Sequence, residues 1–417
     1  MDFALPENLK GFLDSLETFI SQEITPLRNT NDNNRFFDHR REYARTNWEA
    51  GGLPSDDWEA LLDQARLRAD KAGFYRLALP KEYGGRDAGN LWMAVIREHL
   101  AAKGLGLFND LQNEHSVVGN FPDVIMLLGF GSEEQKKQFI WGRLEGTPGH
   151  GSDATFMETK ATRAVKDGVE GWTINGMKMW LSNQHKATHC VVFARTSGNP
   201  GNAIGITAFF VPAKAEGVKT FNMPTDHATV SFTNVFVPDS AVFGPIDNGL
   251  AIAQSFVHEN RIRQAASSLG AAVFCITESV KYARQRKPFG EELAKNQAIQ
   301  FPLVELATQA EMLRLLIRKT AWEMDRMEQK EVERKISDKV SMCNYWANRL
   351  CTQAADRAIQ VHGGIGYSRH KPFEHIYRHH RSRRYRITEG SEEIQMRKVA
   401  AYLFGYIGPK KEAFSKL

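Results

Sequence analysis

The sequence predicts an α+β chain that is mainly helical. It divides into an N-terminal helical domain (1–146), a small middle antiparallel β domain (147–246) and a C-terminal four-helix bundle (247–417). Three observations carry this expectation. Apolar residues recur at intervals of three and four near both ends of the chain, as one face of a helix requires. Between them lie short runs rich in β-branched and aromatic residues, separated by Gly, Pro and Asn, which is the pattern of strands. The last 170 or so residues carry three long apolar stripes and a final short one, enough for a bundle.

In order, Leu9, Phe12, Leu13, Leu16, Phe19 and Ile20 predict an amphipathic helix from Pro6 to about Ile24, stopping before Pro26. Residues 28–54 are polar and read as a surface connection. Helical patterns resume at Trp58–Lys71, Leu91–Lys103 and Ser132 to about Arg143, with a turn at Leu79–Gly85. Strands are expected at Trp172–Leu181, Thr188–Arg195, Ile204–Val211 and Thr229–Val237. Then come the stripes: Ala266, Leu269, Val273, Ile276 and Val280; Leu303, Leu306, Ala310, Leu313, Ile317 and Met324; Ile336, Val340, Cys343, Ala347, Leu350 and Ala354. A last helix runs through Ile394 and Leu403.

Composition narrows the class. A chain of 417 residues with 42% hydrophobic residues can bury a large core. No apolar run reaches the roughly 18 residues of a membrane span, and the opening residues have neither signal-peptide nor transit-peptide character. The four cysteines show no metal-ligand spacing, so no metal is expected and the thiols are read as reduced and packed. A basic run at Arg378, His379, His380, Arg381, Arg383, Arg384 and Arg386 lacks the rest of a nucleic-acid module. It fits a solvated face or the neighbourhood of an anionic cofactor or CoA phosphate. The closing Ser415-Lys416-Leu417 reads as a peroxisomal address, which predicts a peroxisomal location and an import receptor as partner.

The chemistry concentrates in Arg386-Ile387-Thr388-Glu389-Gly390-Ser391-Glu392-Glu393-Ile394-Gln395. A carboxylate followed at once by Gly leaves backbone that can approach a ligand closely, because Gly has no Cβ. Ser391 as a plain N-cap, with Glu392 and Glu393 as first-turn acids, is the structural alternative. Upstream stand Gly151-Ser152-Asp153 after Thr147, then Trp180 and Ser182, Arg286 with Phe289-Gly290 and Gln297, and Gln360-Val361-His362-Gly363-Gly364-Ile365-Gly366. In this order and at these intervals the set resembles the acyl-CoA dehydrogenase family, over nearly the whole chain.

The resemblance implies FAD as cofactor and α,β-dehydrogenation of an acyl-CoA thioester to a trans-2-enoyl-CoA, with a place in fatty-acid metabolism. It makes Glu389 the catalytic base. It assigns Thr147, Trp180, Ser182, Arg286, Phe289, Gln297, Gln360, Gly363 and Gly364 to the flavin, and Ser152, Arg261 and Gly390 to the substrate. It implies a homodimer or homotetramer, because Arg286 and Gln297 would reach the flavin of a neighbouring subunit. The electron acceptor would be an electron-transferring flavoprotein or oxygen. Some members of the family carry the base on the helix that opens the bundle; aligning Arg261 puts Asn260 at that position, so Glu389 keeps the role and Glu259 is a distant second choice. The loop Thr147-Pro148-Gly149-His150-Gly151-Ser152-Asp153 is one residue shorter than the family's and lacks its Glu. Two other readings stay open: a flavin-poor acyl-CoA-binding scaffold, and a flavin desaturase of a specialised thioester.

Overall fold

The computed structural model describes residues 4–109, 116–138, 152–223, 227–380 and 385–407. Thr147, Gly151, most of the Arg381–Arg386 basic run and the Ser415-Lys416-Leu417 tripeptide lie outside them. The chain forms two compact units: one of residues 1–42, 57–120 and 258–417, the other of residues 43–56 and 121–257.

The first unit is helical. Helix α1 (Glu7–Phe19) buries Leu9, Phe12, Leu16 and Phe19 at the spacing its sequence shows. Each buried side chain of that size is worth roughly 2 kcal/mol. Phe12 meets Phe74 and Trp92 edge-on, with ring centroids 5.4 and 5.6 Å apart. The expected stop before Pro26 is corrected. A π-helical turn, Ile20–Ile24, leads into a further helical turn, Thr25–Asn29, in which Pro26 occupies the first positions. The backbone stays helical through Ile24 and Thr25, so Pro26 lies within a continuous helical run, just after the π turn that already breaks the regular hydrogen-bond ladder. Helix α2 (Asp56–Lys71) and α3 (Asn90–Ala102) match the expected patterns closely.

Of the bundle helices, the part of α4 (Gly249–Gln285) from His258 onward belongs to this unit, with α5 (Gln297–Met324), α6 (Ser337–His362) and α7 (Glu392–Leu403). Small residues line the seam. Ala265, Ala266, Ala271 and Ala272 of α4 share one core with Ala347, Ala354, Ala355 and Ala358 of α6. A Cβ on Gly270 would lie 2.3 Å from the Glu98 carbonyl oxygen of α3, so the two backbones touch where only Gly fits. Cys275, Cys343 and Cys351 are buried in this core and are not joined in disulfides.

The second unit holds a seven-stranded sheet built from β1 (Lys160–Lys166), β2 (Val169–Ser182), β3 (His189–Arg195), β4 (Ile206–Pro212), β5 (Val218–Asn222), β6 (His227–Pro238) and β7 (Val242–Phe243). Its spatial order is β5-β6-β2-β1-β3-β4-β7. Among the described residues its strands pair antiparallel, except for a parallel bridge between Lys160 and Arg195; Ile206 of β4 also bridges Asn248 in parallel. Both faces are apolar around β3 and β4. Cys190, Val192 and Phe209 point into one core, while Val191, Phe193 and Phe210 point into another that also contains Met126, Leu127, Ile252 and Ala253. Burial on both sides is why these two strands read as unbroken apolar runs.

Among the described residues, no helix is long and apolar enough to cross a membrane.

Candidate active site

Among the described residues, ten other than glycine adopt positive φ: Asn31, Asp32, Asp87, Asp167, Trp180, Asn183, Asn234, Asp247, Phe289 and Glu389. Seven are Asn or Asp, whose short polar side chains tolerate the left-handed region. The other three are Trp180, Phe289 and Glu389, each singled out from sequence as functional. Such backbone costs about 1–3 kcal/mol per residue and persists only where surrounding structure enforces it, a pattern that clusters at working sites.

Glu389 has φ +56° and Gly390 φ +86°. What enforces this is a set of hydrogen bonds to the loop. The Arg261 guanidinium donates through Nε (2.9 Å) and Nη2 (2.6 Å) to the Glu389 carbonyl oxygen. Gln395 Nε2 donates to the Gly390 carbonyl at 2.7 Å, and Asn260 Nδ2 to the Glu389 carboxylate Oε1 at 2.7 Å. A Cβ on Gly390 would lie 2.9 Å from Arg261 Nη2. Position 390 therefore takes Gly for both its dihedral and its neighbour. Burial pulls the Arg261 guanidinium down to about 10, with the Glu389 charge opposing, so it stays charged at neutral pH.

A buried amide network stands behind the loop. Asn344 Nδ2 donates to the Arg261 carbonyl at 2.9 Å, Gln395 Nε2 to Asn344 Oδ1 at 2.9 Å, and Asn348 Nδ2 to the Tyr385 carbonyl at 2.8 Å. Before α7, Arg386 forms a bidentate pair with Glu392, both contacts at 2.7 Å, and Arg349 of α6 meets the same carboxylate at 3.3 Å. Hydrogen bonds from Arg386 and Arg349 outweigh desolvation and hold the Glu392 carboxyl down to about 2. Ser391 occupies the N-cap position without a side-chain capping bond, so the capping alternative explains little of this segment.

In the sheet unit, Trp180 sits in a β-bulge. Lys178 pairs with Val230 and Leu181 with Ala228, so strand β2 carries one extra residue there. At φ +66° the Trp180 side chain is 59% exposed, while Ser182 is buried. His227 supports both, with its Nδ1 3.0 Å from Ser182 Oγ and its ring edge-on to Trp180 at 6.0 Å. An exposed aromatic plane beside a hydroxyl suits a flavin ring, which needs a covered face and hydrogen bonds at its edge. Ser152 is exposed in the loop ahead of β1.

The remaining cofactor candidates flank two helix ends, the C-terminal end of α4 with the start of α5, and the C-terminal end of α6. Arg286 follows the last turn of α4, its N–H bonded to the Tyr282 carbonyl at 2.9 Å. The Tyr282 ring stacks on His362 at 4.3 Å, next to Gly363 at the end of α6. Arg286, Phe289, Gln297, Gln360, Gly363 and Gly364 are all exposed. No atom lies within 4 Å of a Cβ added to Gly363 or Gly364, so this glycine turn leaves open space for a ligand. A cation, amide side chains and an open Gly turn suit the diphosphate of FAD.

The structure thus joins Glu389, Gly390 and Arg261 in one constellation. Arg286, one turn past Tyr282, is linked to the Gly363 turn through the Tyr282–His362 stack, and Trp180 lies close to Ser182. Arg261, expected at the substrate, has its guanidinium on the Glu389 carbonyl. Sequence reading missed Asn120, Arg263, Asn344 and His227, and gave Gln395 no role of its own within the stretch that ends on it. Arg263 had one available signal, its i,i+4 spacing from Glu259; Asn120, in a loop before Pro122, had none.

Comparison with known proteins identifies the family. The sequence matches the acyl-CoA dehydrogenase N-terminal domain over residues 41–147, the middle domain over 146–235 and the C-terminal domain over 247–404. The chain belongs to the acyl-CoA dehydrogenase family, whose members are FAD-dependent oxidoreductases. It is 33% identical over 350 residues to a 3-(aryl)acrylate reductase of Clostridium sporogenes, covering 79% of this chain and 87% of that protein. It is 30% identical over 381 residues to an acyl-CoA dehydrogenase of Bacillus subtilis, covering 88% and 96%. Among solved structures, butyryl-CoA dehydrogenase from Megasphaera elsdenii superimposes with TM-score 0.74 at 26% identity, covering 97% of this chain and all of that one. A Mycobacterium abscessus protein shares the fold with TM-score 0.80 at 23% identity, covering 97% and 100%.

Proposed function

We propose that the chain removes hydrogen from the α and β carbons of an acyl-CoA thioester, with Glu389 as the base. The observation that carries this reading is the Glu389 backbone at φ +56°, held by Arg261 on its carbonyl and Asn260 on its carboxylate. A carboxylate positioned this firmly can take the α-proton, and backbone N–H groups of the same segment can polarise the thioester oxygen as enolate charge develops. Both C–H bonds break, the α-proton goes to Glu389 and a C=C bond forms. Bound FAD supplies the two-electron acceptor for the β-hydrogen. Trp180 and Ser182 would recognise the flavin ring, and Arg286, Gln297, Gln360, Gly363 and Gly364 its diphosphate and adenosine portion.

Reconstitution with FAD and anaerobic titration with acyl-CoAs of graded length test the proposal. The wild type should bleach, and Glu389→Gln should bind but reduce the flavin at least about a thousandfold more slowly. A Glu389→Gln protein that bleaches at the wild-type rate sinks the assignment. Readmitting air distinguishes oxygen from an electron-transferring flavoprotein as acceptor.

A second reading concerns substrate and direction. The Clostridium relative is named as a 3-(aryl)acrylate reductase, and a protein of Acetobacterium woodii, 28% identical, as a caffeyl-CoA reductase subunit of an Etf complex. Both names favour an aryl-substituted acrylic substrate and reduction of its double bond, and the second names a CoA thioester. Aryl-propanoyl and aryl-acryloyl thioesters belong in the substrate panel for that reason.

Self-association is proposed on the outward face of α5. Phe301, Val304, Met312, Leu315 and Trp322 are exposed there at helical spacing, opposite the stripe that faces the core. A second copy covering this stripe is the reading, and Leu315→Glu should lower the mass measured by light scattering. The peroxisomal location is proposed on Ser415-Lys416-Leu417 alone; a fluorescent fusion that stays diffuse with the tripeptide free would remove it.

A further inference from the structure

We propose that Arg263, Asn120 and Asn260 form a one-way chain of hydrogen-bond donors ending on the Glu389 carboxylate, and that Asn260 is a positioning residue holding that carboxylate oriented and ionised. The inference rests on the reading of Glu389 as the base. Arg263 Nη1 donates to Asn120 Oδ1 at 2.6 Å, Asn120 Nδ2 to Asn260 Oδ1 at 3.3 Å, and Asn260 Nδ2 to Glu389 Oε1 at 2.7 Å.

The polarity of this chain is forced. A guanidinium has donors only, so Asn120 must turn its oxygen toward Arg263 and its NH₂ toward Asn260. Asn260 must then present its own oxygen to Asn120, which leaves its NH₂ facing Glu389. Neither amide can flip without setting donor against donor. At the end of such a chain the partner has to accept, and the ionised carboxylate is an acceptor only. Donation to the charged form favours that form.

The two members of the chain on α4 are also dry, while Asn120 and Glu389 are half-buried. Asn260 is 7% exposed and Arg263 1%. In such surroundings aligned amides reinforce one another more than they would in water. Arg263 is anchored by Glu259, 3.1 Å away on the same face of α4, so the chain starts from an ion pair. Burial pushes the Glu259 carboxyl up and pulls the Arg263 guanidinium down, while the charge of each opposes the shift of the other.

Other charges surround the chain. Arg261 of α4 holds the Glu389 carbonyl. The charge of Asp325, just past the end of α5, is felt at both Glu259 and Arg263. From the short helix Gln329–Lys335, Glu333 acts on Arg261; it is itself paired with Lys398 of α7 and contacts His258 at 2.9 Å. Ahead of α7, Arg386 is taken up by Glu392. Asn260 and Arg261 thus divide the work, the first on the side chain of Glu389 and the second on its main chain. The position that in some relatives would carry the base here carries the group that holds it.

The test uses the FAD-loaded protein with an acyl-CoA that bleaches it, and compares Asn260→Ala and Asn120→Ala with wild type. The rate of anaerobic flavin reduction is followed from pH 5 to 9, beside infrared difference spectra of the protonated carboxyl band assigned to Glu389 by its loss in Glu389→Gln. Asn260→Ala should move the acidic limb of the rate profile and the midpoint of the carboxyl band to higher pH by about one to two units. Acyl-CoA binding should change less than about threefold, because the residue acts through Glu389. Asn120→Ala, which leaves Asn260 in place but removes the donor behind it, should move both in the same direction by a smaller amount. If either variant folds with full FAD content and both readouts overlay wild type, the proposal is overturned. A rate insensitive to Glu389→Gln would overturn the base assignment instead, and the infrared midpoint would still report whether the chain acts on that carboxylate.

Discussion

Trp180 and Glu389 both hold a left-handed backbone that their side chains disfavour, and the two units enforce it by different means. In the sheet, an extra residue in β2 creates the bulge and the flanking ladder locks it: Lys178 with Val230 on one side, Leu181 with Ala228 on the other. In the helical unit no ladder is available, and side chains distant in sequence do the work, Arg261 and Asn260 from α4 and Gln395 from α7. Strain held by main-chain pairing tolerates side-chain change well. Strain held by a polar network depends on each member of it.

Arg261→Lys tests that contrast with the largest expected effect. A single ammonium cannot reproduce two parallel bonds to one carbonyl, and the buried amides behind it would lose their alignment. A loss of roughly 2–4 kcal/mol in urea unfolding, with a much slower flavin reduction, is expected. A stability change below about 0.5 kcal/mol would mean that the loop holds itself.

Acid should expose the same dependence. The Glu392 carboxyl is held down to about 2, below its ordinary value of 4.5. Its contribution is therefore complete above about pH 5 and fades as pH falls from there toward 2. Unfolding midpoints measured between pH 7 and 3 should drop more steeply for wild type than for Glu392→Gln. The variant itself should cost about 1–3 kcal/mol at pH 7.

For Trp180 the ladder argument gives the opposite sign. Trp180→Gly relieves the left-handed strain and should leave stability unchanged or raise it by about 1 kcal/mol, while flavin retention falls about tenfold. Equal losses of stability and of cofactor would show that the indole, and not the bulge, organises the strand. Least of all, Ser391→Ala should change stability by under about 0.5 kcal/mol, because its side chain makes no capping bond. A loss near 1 kcal/mol would restore the capping reading of that segment.

Much of the architecture could be read from the order of residues. The stripes Leu303–Met324 and Ile336–Ala354 became α5 and α6 because each apolar position faces one core. Strands β2, β3, β4 and β6 appeared as expected, whereas β1, β5 and β7 did not. Only Ala161 is buried in β1, β5 is an exposed edge, and β7 has two residues, so none carries the alternation that marks a strand. The helix Pro122–Phe130 was missed for the converse reason: its run is apolar almost throughout and shows no face. At the site, Glu389, Trp180 and Phe289 were legible because their motifs are local. Asn120 was not, since its meaning comes entirely from a guanidinium 143 positions away.

Phe289 offers a last consequence. Its ring is fully exposed at φ +57°, next to Gly290 at φ +85° and beside the exposed Arg286. The single chain therefore displays a bare phenyl group to water in a conformation that phenylalanine ordinarily avoids. If the proposed second copy covers that ring, the yellow colour of the FAD-loaded protein should survive heating better in concentrated solutions than in dilute ones. Protein concentration would then act on this molecule as a stabilising ligand does on others.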